Sequence, residues 1–125
     1  MGNQQLVYIV DDDIQVRESL RALVEATGFE TRCFDSGVNF LSQYEPENAG
    51  CVIVDFRMTG MTGLELQEHL RESDSSLPVI MMSGHYRDRE REIAMKQGAI
   101  GLLSKPFSSL DLIALIEKAI DSIRE

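Results

Sequence analysis

Three acids stand side by side in "LVYIVDDDIQV", Asp11, Asp12 and Asp13, directly after an apolar run. A fourth, Asp55, closes the apolar run "CVIVD"; Ser83 closes "PVIMMS" and Lys105 follows "IGLLS". Two like unit charges about 4 Å apart repel by roughly 4 kcal/mol at an effective dielectric near 20, so acids gathered at the end of a buried strand call for a counter-charge. A hard divalent cation supplies one. Carboxylates from two strands, a backbone carbonyl and water suit Mg2+, which takes few protein ligands and keeps places for phosphate oxygens. With the cation present, the Asp55 carboxylate can act as a nucleophile towards phosphorus. The Ser83 hydroxyl and the Lys105 ammonium can then bind phosphoryl oxygens.

Each residue also has a plainer reading. Asp12 with Gln15 has the spacing of a helix capping box, Asp55 can begin a turn, Ser83 can cap a helix, and a lone loop lysine is usually solvated. Taken together the plainer readings need four unrelated accidents at one end of one sheet. A helix also needs only one cap, which leaves at least one acid of the triplet unexplained.

The elements that must position these residues are legible. The β-like runs "LVYIV", "FETRCF", "CVIVD", "LPVIMMS" and "IGLLS" alternate with helical patterns, which argues for right-handed βαβ units and a parallel sheet covered on both faces. "CVIV" and "PVIMM" are continuously apolar, as central strands are, whereas "ETRCF" alternates, as an edge strand does. In such an open sheet the site lies outside the carboxyl ends of the strands, near the switch in strand order. The expected fold is α/β, a (βα)5 doubly wound sheet of five parallel strands in the order 2-1-3-4-5.

Punctuation agrees with that reading. Val16, Leu20, Leu23 and Val24 form the apolar stripe of the first helix, which ends at Gly28. "TGLE" gives the third helix a capping box from Thr62 to Glu65, with Met61 and Leu66 as a hydrophobic staple. Ser108 is the expected N-cap of the fifth helix, flanked by Phe107 and Leu112. That helix carries apolar residues in two stripes, Ile113, Ile116, Ile120, Ile123 and Leu112, Leu115, Ala119, of which one must face the sheet and the other is a core contact or a dimer face.

The bulk properties narrow the classes of function. At 125 residues with 43% hydrophobic and 26% charged residues, the chain reads as a single domain, 1–125, with a core of its own. Its net charge of −9 disfavours direct binding to nucleic acid or to an anionic membrane. Cys33 and Cys51 form no CxxC pattern and read as two buried thiols. No apolar run approaches a membrane span and "MGNQQ" has no signal-peptide character, so a cytoplasmic location is the expectation.

The stretches "IVDDD", "VDFRMTGMTG", "PVIMMSGH" and "GAIGLLSKPF" closely resemble, in order and spacing, the receiver domain of bacterial response regulators, a flavodoxin-like fold shared with chemotaxis regulators; "MSGH", "GAIG" and "KPF" are most similar to receivers of the FixJ type. The resemblance implies a two-component signalling role. Asp55 would accept a phosphoryl group from a histidine kinase, and Asp11 and Asp12 would form the acidic pocket. Asp12, Asp55 and the backbone carbonyl of Arg57 would hold Mg2+, with Asp13 as a non-essential acid. Ser83 would be the switch hydroxyl and Lys105 the phosphate-contacting lysine, joined to Pro106 by a cis peptide. Phosphorylation would repack the surface of the fourth and fifth helices, as a homodimer contact or towards a DNA-binding output that controls transcription. By the same resemblance the chain is not a turnover enzyme, although it would promote its own Mg2+-dependent phosphorylation and dephosphorylation.

Three positions depart from the family pattern: Thr59 stands where proline is usual, Leu102 where a switch aromatic is common, and Ser83 where threonine is commoner. Thr59 and Leu102 leave a second class open, a pseudo-receiver that binds partners without phosphate. A phosphatase using Asp11 and Asp13 as a DxD pair would need a cap and a further acidic pair, and a flavin or nucleotide binder would need a glycine- or hydroxyl-rich loop after the first strand.

Overall fold

The computed structural model describes residues 6–45, 49–73, 76–84 and 88–123. The "MGNQQ" terminus, His85 of "MSGH", Tyr86, Arg87, Arg124 and Glu125 lie outside the described residues. The strands are β1 (Leu6–Val10), β2 (Glu30–Phe34), β3 (Ala49–Asp55), β4 (Val79–Ser83) and β5 (Gly101–Ser104). They alternate with helices α1 (Ile14–Ala26), α2 (Gly37–Gln43), α3 (Gly63–Glu72), α4 (Asp88–Lys96) and α5 (Ser109–Ile123). All four strand pairings are parallel, in the order β2-β1-β3-β4-β5, as expected.

Side chains alternate between the two faces of a strand, so the buried runs of β1, β3 and β4 serve two cores at once. Tyr8, Val10, Val52, Val54 and Met81 pack with Phe40, Leu66, Leu70 and Ala94 under α2, α3 and α4. Val7, Ile9, Ile53, Ile80 and Met82 pack with Leu20, Val24, Leu112, Ile116, Ala119 and Ile120 under α1 and α5. β2 alternates exposed and part-buried residues, the pattern of an edge strand. Among the described residues no helix is long and apolar enough to cross a membrane. Both cysteines are free, and burial pushes the Cys51 thiol up to about 12, which removes its nucleophilic form at neutral pH.

The helix boundaries follow their caps. Thr62 and Glu65 form the reciprocal capping box of α3, and Ser108 Oγ accepts the Asp111 N–H at the start of α5. Gly28 and Gly98 take the left-handed conformation just beyond α1 and α4. For α5 the structure favours the core-contact alternative for the second stripe. With about 100° between successive residues, Leu112, Ile116, Ala119 and Ile120 share one arc and are all buried. Ile113 and Leu115 flank that arc, part-buried against the same core. The two stripes therefore merge into one wide core face, except for Ile123 at the end of the helix, which is 38% exposed.

α3 starts tight against the end of β3. Gly63 donates its N–H to the Phe56 carbonyl at 3.0 Å, and a Cβ there would lie 2.7 Å from the Asp55 carbonyl oxygen and 3.0 Å from Phe56 Cα. Because both neighbours are backbone atoms, Gly63→Ala is expected to destabilise the chain by about 1–3 kcal/mol. Urea unfolding measures this, and an unchanged midpoint would show that α3 can move away without cost.

Candidate functional site

Register carries four strand ends to one place. Val10 pairs with Val54, so Asp11 and Asp55 come next on adjacent strands. Asp55 pairs with Met82, and Ser83 follows it on β4; Ser83 pairs with Ser104, and Lys105 follows that on β5. The chain leaves β1 towards β2 on one side and β3 on the other, so the cluster stands where the strand order reverses.

The Lys105 ammonium lies 3.2 Å from Asp55 Oδ1 and 3.6 Å from Asp11 Oδ2. Asp11 and Asp55 are buried, at 1% and 7% exposure. Burial pushes the Asp55 carboxyl above the ordinary range and repulsion from Asp11 adds to this, while Lys105 opposes it. Asp11 is likewise raised by burial, against the hydrogen bond from the Asp13 N–H and the charge of Lys105. Two buried carboxylates thus share a single ammonium. Ser83 is buried at the end of β4, and its carbonyl accepts the Lys105 N–H at 2.8 Å. The Lys105–Pro106 peptide is cis.

The acids of the triplet do different things. Asp13 is the N-cap of α1, accepting from the Gln15 and Val16 N–H groups at 2.9 and 3.5 Å. The capping role that "DDIQ" offers Asp12 therefore falls to its neighbour. Asp11 points inward and its Oδ1 accepts the Asp13 N–H at 2.9 Å. Asp12 is exposed and turns towards the loop after β3, where its Oδ2 accepts the Thr59 N–H at 3.0 Å.

One carboxylate oxygen from each of Asp11, Asp12 and Asp55 lies within 4.8 Å of the others. Asp11 Oδ2 is buried and has no hydrogen-bond partner among the described residues. An all-oxygen donor set with a buried oxygen that accepts no hydrogen bond and faces the Lys105 ammonium only at 3.6 Å fits a hard divalent cation such as Mg2+. Arg57 lies two residues past Asp55; its guanidinium sits over the Phe56 ring and pairs with Glu90 of α4 at 3.3 Å.

Two supporting contacts have no counterpart in the sequence reading. Arg17 Nη1 donates to the Asp11 carbonyl at 2.7 Å, pinning the turn from β1 into α1, and the Thr59 N–H holds Asp12. Arg17 stands six residues from its partner and Thr59 acts through its backbone, so neither contact leaves a pattern of residue types.

Comparison with known proteins agrees with this geometry. The family model described as response regulator receiver domain matches residues 7–117. Response regulator protein TmoT of Ectopseudomonas mendocina is 40% identical over 96% of this chain and 55% of its own length. Transcriptional regulatory protein FixJ of Bradyrhizobium diazoefficiens is 39% identical over 91% of this chain and 56% of its own. The chain therefore spans about half the length of the curated relatives it matches. Among solved structures, the FixJ N-terminal fragment superposes with a TM-score of 0.87 at 33% identity, covering 97% of this chain and 96% of that one.

The raised carboxyls give a pH signature. Between the ordinary aspartate value of 3.8 and the raised values, the folded chain binds more protons than the unfolded one. Stability without metal therefore falls as pH rises through that window and stays lower above it. In chelator, Asp55→Asn is expected to melt close to wild type below pH 3.8 and a few degrees above it at neutral pH, and Mg2+ is expected to raise wild type more than the variant. Differential scanning fluorimetry across pH reads both. A variant that melts below wild type at neutral pH would mean that the Lys105 attraction outweighs the cost of burial.

Proposed function

Since the chain belongs to the response regulator receiver domain family of two-component systems, we propose that residues 1–125 form one receiver domain, switched by phosphorylation of Asp55. The observation that carries this reading is the Lys105 ammonium, 3.2 Å from one Asp55 oxygen, on a carboxylate crowded by Asp11. It leaves Asp55 nucleophilic yet places a cation where phosphoryl charge would arrive.

A lone pair of an Asp55 carboxylate oxygen forms the new P–O bond as the P–N bond of a kinase phosphohistidine breaks. The imidazole nitrogen keeps that electron pair and takes up a proton. Asp12, Asp55 and the Arg57 carbonyl would hold Mg2+, with Asp11 as the second acid of the pocket; when bound, the ion supplies the positive charge that screens the carboxylates from the incoming phosphoryl oxygens. Lys105 binds one of those oxygens and exchanges its carboxylate partner for it. Ser83, at the end of the neighbouring strand, offers its hydroxyl to another.

The response is a population shift carried to the surface of α4, β5 and α5. Since α5 spends most of both stripes on the core, a homodimer through α4 and α5 would draw on Met95, Leu110 and Ile123, which are 48%, 81% and 38% exposed. Relatives named as transcriptional regulators are matched over only 56% and 55% of their own length. Control of transcription would come through a DNA-binding segment beyond these residues, since a net charge of −9 repels a phosphate backbone.

Incubation with Mg2+ and acetyl phosphate, followed by intact-mass measurement, tests the reading. Wild type is expected to gain one phosphoryl group, lost on Asp55→Asn and on addition of chelator. No gain in wild type, or a gain that survives Asp55→Asn, overturns it.

A further inference from the structure

Asp12 occupies an unfavourable place. It is exposed, free to rotate towards water, and repelled by two carboxylates whose oxygens lie within 4.8 Å of its own. Lys105 does not offset this, because its ammonium is turned to Asp11 and Asp55. Among the described residues the side chain of Asp12 has one hydrogen-bond partner, the backbone N–H of Thr59, reached across 47 residues of sequence at 3.0 Å. The bond ties the loop after β1 to the loop after β3 and uses only Oδ2. The other oxygen remains available.

We propose that Thr59 is a positioning residue for the cation site: its N–H holds Asp12 in the acidic cluster before the cation arrives, so that binding need not immobilise an exposed side chain. The inference rests on the reading that Asp12 and Asp55 hold Mg2+. A neutral donor suits the task, since a second ammonium would cancel the charge that attracts the cation. The role belongs to the backbone, so every residue except proline can fill it. Proline is the residue that the family pattern leads one to expect here, and this chain differs from that pattern by gaining a donor.

Nitrogen-15 NMR titration of the whole chain with MgCl2, for wild type, Thr59→Ala and Thr59→Pro, gives Mg2+ dissociation constants and reports folding in the same spectra. Thr59→Ala is expected to bind as wild type does. Thr59→Pro is expected to bind about twofold to tenfold more weakly, the cost of freezing one mobile side chain. Equal affinity in Thr59→Pro, or an equal loss in Thr59→Ala, overturns the proposal while leaving the metal reading intact. A wild type without saturable Mg2+ shifts overturns the metal reading and this proposal with it. Amide hydrogen exchange covers a proline variant that fails to fold: in metal-free wild type the Thr59 amide is expected to be protected, and in Asp12→Ala to lose protection. Open-chain exchange of that amide in wild type overturns the proposal by itself.

Discussion

The buried Asp11 and Asp55 carboxylates, side by side at the ends of β1 and β3, are the constraint around which the rest of the site is arranged. Parallel register makes them neighbours, since they follow the paired residues Val10 and Val54, and two charges at that spacing cannot be left uncompensated. Lys105 reaches both from β5, two strands beyond Asp55. Its reach depends on the one-residue progression from Asp55 to Ser83 to Lys105 across β3, β4 and β5. A slip of one residue in any of those pairings would turn an apolar side chain into the cluster and a polar one into the core. The two cores and the site are therefore fixed by the same register.

One ammonium does not neutralise three carboxylates, and burial, with repulsion from neighbouring carboxylates adding to it, holds the Asp11 and Asp55 carboxyls above the ordinary range. The shortfall is useful. A site that is strained without a cation gains most when one binds, so stability lost in the metal-free chain reappears as affinity. Neutral backbone donors complete the arrangement without reducing that charge: the Asp13 N–H on Asp11 and the Thr59 N–H on Asp12.

How much of this is legible in the sequence follows from what carries each feature. Continuous apolar runs mark β1, β3 and β4 as strands buried on both faces, and the residue that breaks each run, Asp11, Asp55 or Ser83, marks the edge where the site begins. Side-chain chemistry at strand ends and caps is thus readable, as Thr62 with Glu65 shows. Division of labour is less so. Asp12 and Gln15 have capping-box spacing, yet Asp13 caps α1, because Asp11 turns inward and sets where the helix can start. The stripes of α5 appear separate on paper since periodicity alone does not reveal how wide an arc the sheet and α1 can cover. Contacts made by backbone groups have no letter at all, which is why the Thr59 N–H emerges only from the structure.

The contacts of α4 decide how a change at the site can travel. Among the described side chains of α4 only Ala94 is buried, whereas α5 buries Leu112, Ile116, Ala119 and Ile120. Polar links supplement that small apolar anchor, two of them plain among the described residues. Gln67, buried on α3, donates to the Ala94 carbonyl at 3.0 Å, and Arg57 pairs with Glu90 at 3.3 Å with its own side chain 55% exposed. A solvated ion pair of that kind contributes about 0–1 kcal/mol, no more than one buried amide hydrogen bond at about 1 kcal/mol. Neither link holds α4 as the core holds α5. The helix therefore has the low local stability of elements that shift without unfolding the domain. The same Arg57 that stands two residues past Asp55 pairs with Glu90 of that helix, so rearrangement of the loop after β3 would act on a lightly anchored element.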